Sequence, residues 1–320
     1  MATATKAIKK TTEKKAGPVP VPAVKQKESA ISKRAMLVTV TVHRWKPQVT
    51  DEVVSKKVAE DHGAKSTAGK YRKRLFPKDT FFDTASIENE IRREFWDRTL
   101  PWSDDSGRIL LNVGYLPFTQ KINELTDKFN AEWRKVLASP EAYKALIERA
   151  EKEFGTLFDP ALYPSYEDAC AKFGVTVRVK PIPTGQDLRV DVGDQELERL
   201  QRELNEDAQK TIQEAMKTVW GRLSEVVEHM VKRLNAYSID PETGKTQNTF
   251  RDSLVTNITE LLDLLPSLNV TQDSKLFEFE QAIRKTLVVH PASVLRDDEK
   301  IRKSVAVQAQ EILDKMGAYL

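Results

Sequence analysis

Residues 194–237 contain no proline, and Leu197, Leu200, Leu204, Ala208, Ile212, Met216, Val219, Leu223, Val226, Met230, Leu234 and Tyr237 recur through them at steps of three and four. Such spacing places one apolar stripe on an α-helix, and a helix of this length reaches about 65 Å at ~1.5 Å per residue. An isolated helix with a one-sided stripe gains too little from its own hydrogen bonds, so it must lie across other helices or pair with a copy of itself. The long helix therefore commits the chain to a mainly helical architecture and leaves homo-oligomerisation open.

The remainder divides on either side of it. Met36–Trp45 alternates β-branched and polar residues and predicts a half-buried strand near 37–45, with Val38, Val40 and Val42 on its apolar face. Val175, Val177 and Val179 alternate in the same way, as do Leu188, Val190 and Val192. These segments predict strands near 175–180 and 187–192, joined by Pro181-Ile182-Pro183-Thr184-Gly185, which no helix could cross. Two strands alone are marginal, so the N-terminal strand is expected to complete a small antiparallel sheet.

Helical segments surround these strands. Thr50 or Asp51 is expected to cap a short helix ending at His62 and Gly63, Asp83 to cap one carrying Ile87, Ile91 and Phe95, and Ser139-Pro140 to open another. A long amphipathic helix carries Phe118 through Val136, and Phe250–Leu265 predicts a helix stopped by Pro266. The expected fold class is predominantly α-helical α+β. Its parts are a basic Lys/Pro arm over 1–34, an α+β domain over 35–193 and a helical domain over 194–320.

Charge is unevenly placed. The net charge of +3 resolves into +7 over residues 1–34, +6 over 35–78 and −10 over the rest. In the arm, Lys6, Lys9, Lys10, Lys14 and Lys15 precede Gly17-Pro18-Val19-Pro20-Val21-Pro22, whose prolines enforce extended backbone. A lysine-rich extended arm can attract polyphosphate by counterion release, and it can equally serve as a solubilising tail.

The most informative cluster is Lys65, Lys70, Tyr71, Arg72, Lys73, Arg74, Phe76 and Lys78, a stretch without a single acid. Cations there can meet phosphates while Tyr71 and Phe76 stack on unpaired bases, the composition of a groove for single-stranded nucleic acid. The bland alternative is an exposed loop that offsets the acidic helices, with Phe76 anchoring it in the core.

Other chemistry is poorly supported. The one cysteine, Cys170, excludes a disulfide framework and thiolate metal clusters, and it is expected to be a buried, inert thiol. His43, His62, His229 and His290 show no metal-ligand spacing. Gly244-Lys245-Thr246 copies the end of a phosphate loop but has Ile239 where that motif needs glycine, and a helix where it needs a strand. Asp104 and Asp105 could act as acid and base, yet Asp-Asp-Ser-Gly is ordinary turn chemistry. No enzyme activity, metal or cofactor is expected, nor any membrane span, since the richest apolar patch, Leu261–Leu265, is short and ends at Pro266. The absence of an apolar core after the first lysines argues against a secretory signal and for a cytoplasmic protein.

Three sets of strings carry a resemblance. They are Thr99-Leu100-Pro101-Trp102 with Gly107-Arg108-Ile109-Leu110, Leu157-Phe158 with Tyr163-Pro164, and Pro181-Ile182-Pro183 with Asp187-Leu188-Arg189-Val190. Over roughly residues 36–235 the chain resembles an uncharacterised family carried by tailed phages and related mobile elements, often encoded near MoxR-type AAA ATPases and von Willebrand-type partners. The resemblance implies a phage-encoded protein in the bacterial host cytoplasm and a shared fold, with no activity to carry over. Two functional expectations follow: a non-enzymatic protein contacting nucleic acid through its basic N-terminal quarter, or a helical adaptor that binds an AAA ATPase or host protein through 194–237.

Overall fold

A computed structural model describes residues 31–102, 107–188 and 190–319. The arm up to Ala30, the Asp104-Asp105 pair and Arg189 lie outside the described residues.

The first strand, β1 (Ala35–His43), leads to a short strand β2 (Gln48–Thr50), helix α1 (Glu52–Asp61) and strand β3 (Arg72–Arg74). Helix α2 (Phe82–Asp97) then turns into the hairpin of β4 (Leu100–Pro101) and β5 (Arg108–Leu111), from which α3 (Asn112–Val136) departs directly. Asp51 caps α1 through a 3.0 Å bond from the Val54 amide, and Gly63 stops it with φ of +60°. Asp83, by contrast, lies inside the first turn of α2. That helix starts two residues earlier, with Phe81, buried in an aromatic cluster, at the capping position.

Helix α4 (Pro140–Phe154) opens with Ser139 capping Ala142, and Ser165 likewise caps α5 (Tyr166–Cys170). Strand β6 (Gly174–Pro181) pairs with β1 along its whole length, from Met36 opposite Pro181 to His43 opposite Gly174. Helix α6 (Asp194–Ala236) is one continuous helix of 43 residues, about 65 Å long at ~1.5 Å per residue. A small ribbon, β7 (Ser238–Ile239) with β8 (Thr246–Gln247), precedes α7 (Ser253–Leu268), α8 (Ser274–Thr286), α9 (Ala292–Asp297) and α10 (Glu299–Met316). Pro266 does not end α7, which continues two residues further to Leu268.

The structure is thus a predominantly helical α+β fold with a small antiparallel sheet, in the order β4-β5-β1-β6. The expected strand at 187–192 is absent among the described residues. Residues 185–187 form a single 3-10 turn closed by Thr184 and Asp187, and the Gly185 amide donates to Asn205 Oδ1 of α6 at 3.0 Å. Val190 and Val192 are exposed. The place beside β1 is instead taken by β5, whose four residues are all buried. A strand covered on both faces has no polar alternation, so period two could not reveal it.

Burial on both faces explains the sheet's position. Ala35, Ile109, Leu111 and Leu100, with Leu37 packed against them, face the core made by α6 to α10. Val38 and Leu110, joined by Met36, Val40 and Val42, face the core of α2, α3 and α4. The register obeys this division, with Leu37 opposite Ile109 and Met36 opposite Leu110. The first half of β1 is therefore covered on both sides rather than half-buried.

Candidate nucleic-acid interface

The basic cluster is built on the β2–β3 ribbon. Gln48, Val49 and Thr50 pair with Arg74, Lys73 and Arg72. Because side chains alternate along a strand, the three consecutive cations separate: Arg72 and Arg74 point outward and are exposed, while Lys73 points in. Lys73 Nζ lies 3.0 Å from Asp51 Oδ2 and donates to the Leu157 carbonyl at 2.9 Å.

Asp51 has two tasks, since its other carboxylate oxygen caps α1. The Val54 amide and the Lys73 ammonium together hold its carboxyl below the ordinary value. The Asp51 amide also donates to the Tyr71 carbonyl at 2.9 Å, and the Tyr71 amide to Ser55 Oγ at 2.9 Å. Helix start and ribbon are locked together, which gives Arg72 and Arg74 a rigid base.

Phe76 does not face solvent. It is 1% exposed and forms edge-to-face pairs with Trp45 and Tyr163, with ring centroids 5.4 Å and 5.3 Å away. Tyr163 donates its hydroxyl to the Leu75 carbonyl, and burial pushes that phenol up to about 12. Phe76 therefore anchors the ribbon and cannot stack on a base. Of the eight residues singled out by sequence, Phe76 and Lys73 serve the fold, whereas Lys65, Lys70, Tyr71, Arg72, Arg74 and Lys78 remain on the surface. Tyr71 is 39% exposed.

The structure adds two residues that sequence reasoning passed over. A shallow groove of about 260 Å³ runs beside the ribbon, with Phe76, Pro77 and Phe81 as floor and Lys46, Arg74 and Lys78 among its walls. Phe82, 67% exposed, stands at its rim. No side-chain hydrogen bond or ion pair holds Lys46, Arg74 or Lys78 among the described residues, whereas Arg44, also in the wall, is bound to Glu88. The doublet Phe81-Phe82 could have pointed here: two adjacent aromatics at a helix start cannot both enter one core.

Glu88, which binds Arg44 of the groove wall, is a buried carboxylate. Burial works to raise its carboxyl, but hydrogen bonds from Arg44 and Arg92 outweigh that and hold it below the ordinary value. With Glu88 neutralised by arginines and Asp51 by Lys73, these two carboxylates are spent on structure. The groove keeps a positive field from Lys46, Arg74 and Lys78 over an aromatic floor.

The remaining candidates carry no comparable arrangement. Cys170 is half-buried, and no group of three or more His, Cys, Asp or Glu residues among those described could hold a metal ion. His229 accepts from Arg233 Nε at 3.3 Å, within its own helix. Gly244-Lys245-Thr246 closes the β7–β8 turn, where Asp240 accepts from the Glu242 amide and the Gly244 amide donates to the Asp240 carbonyl. No described helix is long and apolar enough to cross a membrane. Comparison of the chain with protein-family models, with curated proteins and with solved structures found no match in any of the three.

Proposed function

We propose that this chain binds single-stranded nucleic acid through the face formed by Lys46, Lys65, Lys70, Arg72, Arg74 and Lys78, with Tyr71 and Phe82 as stacking platforms. The observation that supports it most directly is the division on β3: Lys73 is consumed by Asp51, while Arg72 and Arg74 are presented outward from a rigid ribbon without an acidic partner among the described residues. Cations along a groove with exposed aromatics beside them are what a sequence-tolerant single-strand site requires. In this reading the protein has no enzymatic role, and the arm, with its net charge of +7, adds long-range attraction. Its setting is the host cytoplasm of a phage or mobile element, in keeping with the resemblance above.

The test is fluorescence anisotropy with labelled single-stranded DNA across a salt series. Six phosphate contacts would make log affinity fall with log salt at a slope of about −4, at ~0.7 per contact. Neutralising Lys70, Arg72, Arg74 and Lys78 together is expected to flatten the slope by about 3. A slope near zero in the intact chain would overturn the reading.

A second reading has its own observation. Between Asp194 and Glu214 of α6 no residue is buried, whereas Ala215, Met216, Val219, Trp220, Leu223, Val227 and Met230 all are. Leu197 and Leu200 are half-covered and Leu204 is exposed, so the N-terminal half of α6 offers an apolar stripe suited to a protein partner such as an AAA ATPase or a second copy. A pull-down that survives nuclease and is lost on replacing Leu197, Leu200 and Leu204 with Ser would favour this adaptor role.

A further inference from the structure

The sheet ends at β6, whose outer edge is unpaired among the described residues. The Asn112 amide donates to the Arg34 carbonyl at 2.8 Å, so Arg34 and, by the alternation of an antiparallel ladder, Met36 and Val38 bond toward β5. Leu37, Thr39, Thr41 and His43 then bond toward β6, where Lys180, Arg178, Thr176 and Gly174 stand opposite them. Val175, Val177 and Val179 therefore aim their N–H and C=O groups the other way, and Pro181, next in that series, closes the edge with no N–H to offer. No hydrogen bond reaches those outward groups of the three valines among the described residues.

From Val177 to Pro181 the strand is exposed throughout, with Val177 at 42% and Val179 at 48%. These two valines lie on the face of the sheet that carries Val40 and Val38, their partners on β1. Arg178 and Lys180 project from the opposite face, and no side-chain hydrogen bond or ion pair holds either among the described residues. An unpaired edge invites a further strand, and cations on it are a common guard against the wrong one. A strand that fits must match the valines' backbone groups and keep like charge away from Arg178 and Lys180.

We infer that the occupant is β6 of a second copy of this chain, added antiparallel about a two-fold axis at Val177. Val177 then pairs with its own counterpart and Val175 with the partner's Val179, which uses every outward N–H and C=O of the three valines. Arg178 falls opposite the partner's Thr176 and Lys180 opposite the partner's Gly174, so neither cation directly faces another. Other registers fail on the same residues. An axis at Arg178 sets that arginine against itself, and one at Val179 sets it against Lys180 and gives Val177 a proline as partner. Axes nearer Gly174 carry Val179 past the end of the facing strand. At Val177 the two sheets become one, and the exposed Val177 and Val179 side chains of both copies meet on one face of it. The contact is small, so the dimer is weak and depends on concentration.

This inference is independent of the nucleic-acid reading, and sedimentation of the full chain tests it. A monomer–dimer equilibrium is expected between about 1 and about 200 µM. Over that range the amides of Val175, Val177 and Val179 are expected to exchange about 10-fold more slowly at the upper end than at the lower. V177K and V177E each set like charges against one another across the axis, at an exposed position, so each alone is expected to be monomeric with an unchanged melting temperature. An equimolar mixture of the two is expected to restore the dimer. A parent chain that stays monomeric throughout the range would overturn the proposal, and so would a mixture that does not dimerise. A dimer that V177K leaves intact would overturn it as well, and loss of that dimer on replacing Leu197, Leu200 and Leu204 with Ser would place the second copy on α6 instead.

Discussion

Lys73 Nζ sits 3.0 Å from the Asp51 carboxylate, with both side chains largely covered, while its two chain neighbours Arg72 and Arg74 are exposed. One residue of offset along β3 thus separates a structural cation from two free ones. Lys73→Met is expected to lower the thermal midpoint by several degrees, because the Asp51 carboxylate and the Leu157 carbonyl lose their partner. Its effect on nucleic-acid affinity should stay within about twofold for a sound fold. Arg72→Gln with Arg74→Gln should do the reverse, and comparing melting curves with binding isotherms separates the two.

Phe76→Ala is expected to cost about 3–5 kcal/mol of stability, the range for removing a fully buried aromatic ring. Tyr163, Trp45 and Phe81 lose an edge-to-face partner together, so part of that cost is shared among them. Urea unfolding followed by tryptophan fluorescence measures it, with Trp45 reporting locally. A cost below about 1 kcal/mol would contradict the placement of Phe76 in the core.

The Glu88 carboxyl is depressed by Arg44 and Arg92, which fixes the sign of its pH dependence. A group whose folded value lies below its unfolded one stabilises the fold above the unfolded value and loses that stabilisation as pH falls. The contribution is expected to be complete above about pH 4.5 and to disappear below it. Glu88→Gln should therefore flatten the acid limb of a stability-versus-pH curve measured between neutral pH and about pH 3.

Gly185 lies so close to α6 that a Cβ placed on it would come within 2.5 Å of the Gln201 carbonyl oxygen and 2.9 Å of Asn205 Nδ2. Gly185→Ala is expected to unseat the 184–188 turn from α6, at about 1–3 kcal/mol for a contact that cannot relax. Loss of exchange protection at the Gly185 amide, with the 215–236 part of α6 unaffected, is the expected signature.

Much of this architecture is written in local patterns. The stripe from Leu197 to Tyr237, the alternation of β1 and β6, the Asp51, Ser139 and Ser165 caps and the Gly63 stop each depend on residues within one or two turns of each other, so the chain's own periodicity specifies them. The helical content and the antiparallel pairing of 37–43 with 174–180 were legible on that basis.

What the sequence could not decide was how each segment would be covered. Whether Arg108–Leu111 or residues 187–192 lies beside β1 depends on two helical cores meeting across the sheet, and such burial removes the alternation that marks a strand. The same holds at the basic cluster. Composition placed eight residues together, but only the register of Gln48–Thr50 against Arg72–Arg74 turned Lys73 inward, and only the aromatic core around Trp45 and Tyr163 claimed Phe76. It also left Phe82 and Lys46, which both lie outside the run of cations in sequence, at the groove. Local periodicity is a property of neighbours along the chain, whereas burial is a property of neighbours in space, and the functional surface is what the second leaves over.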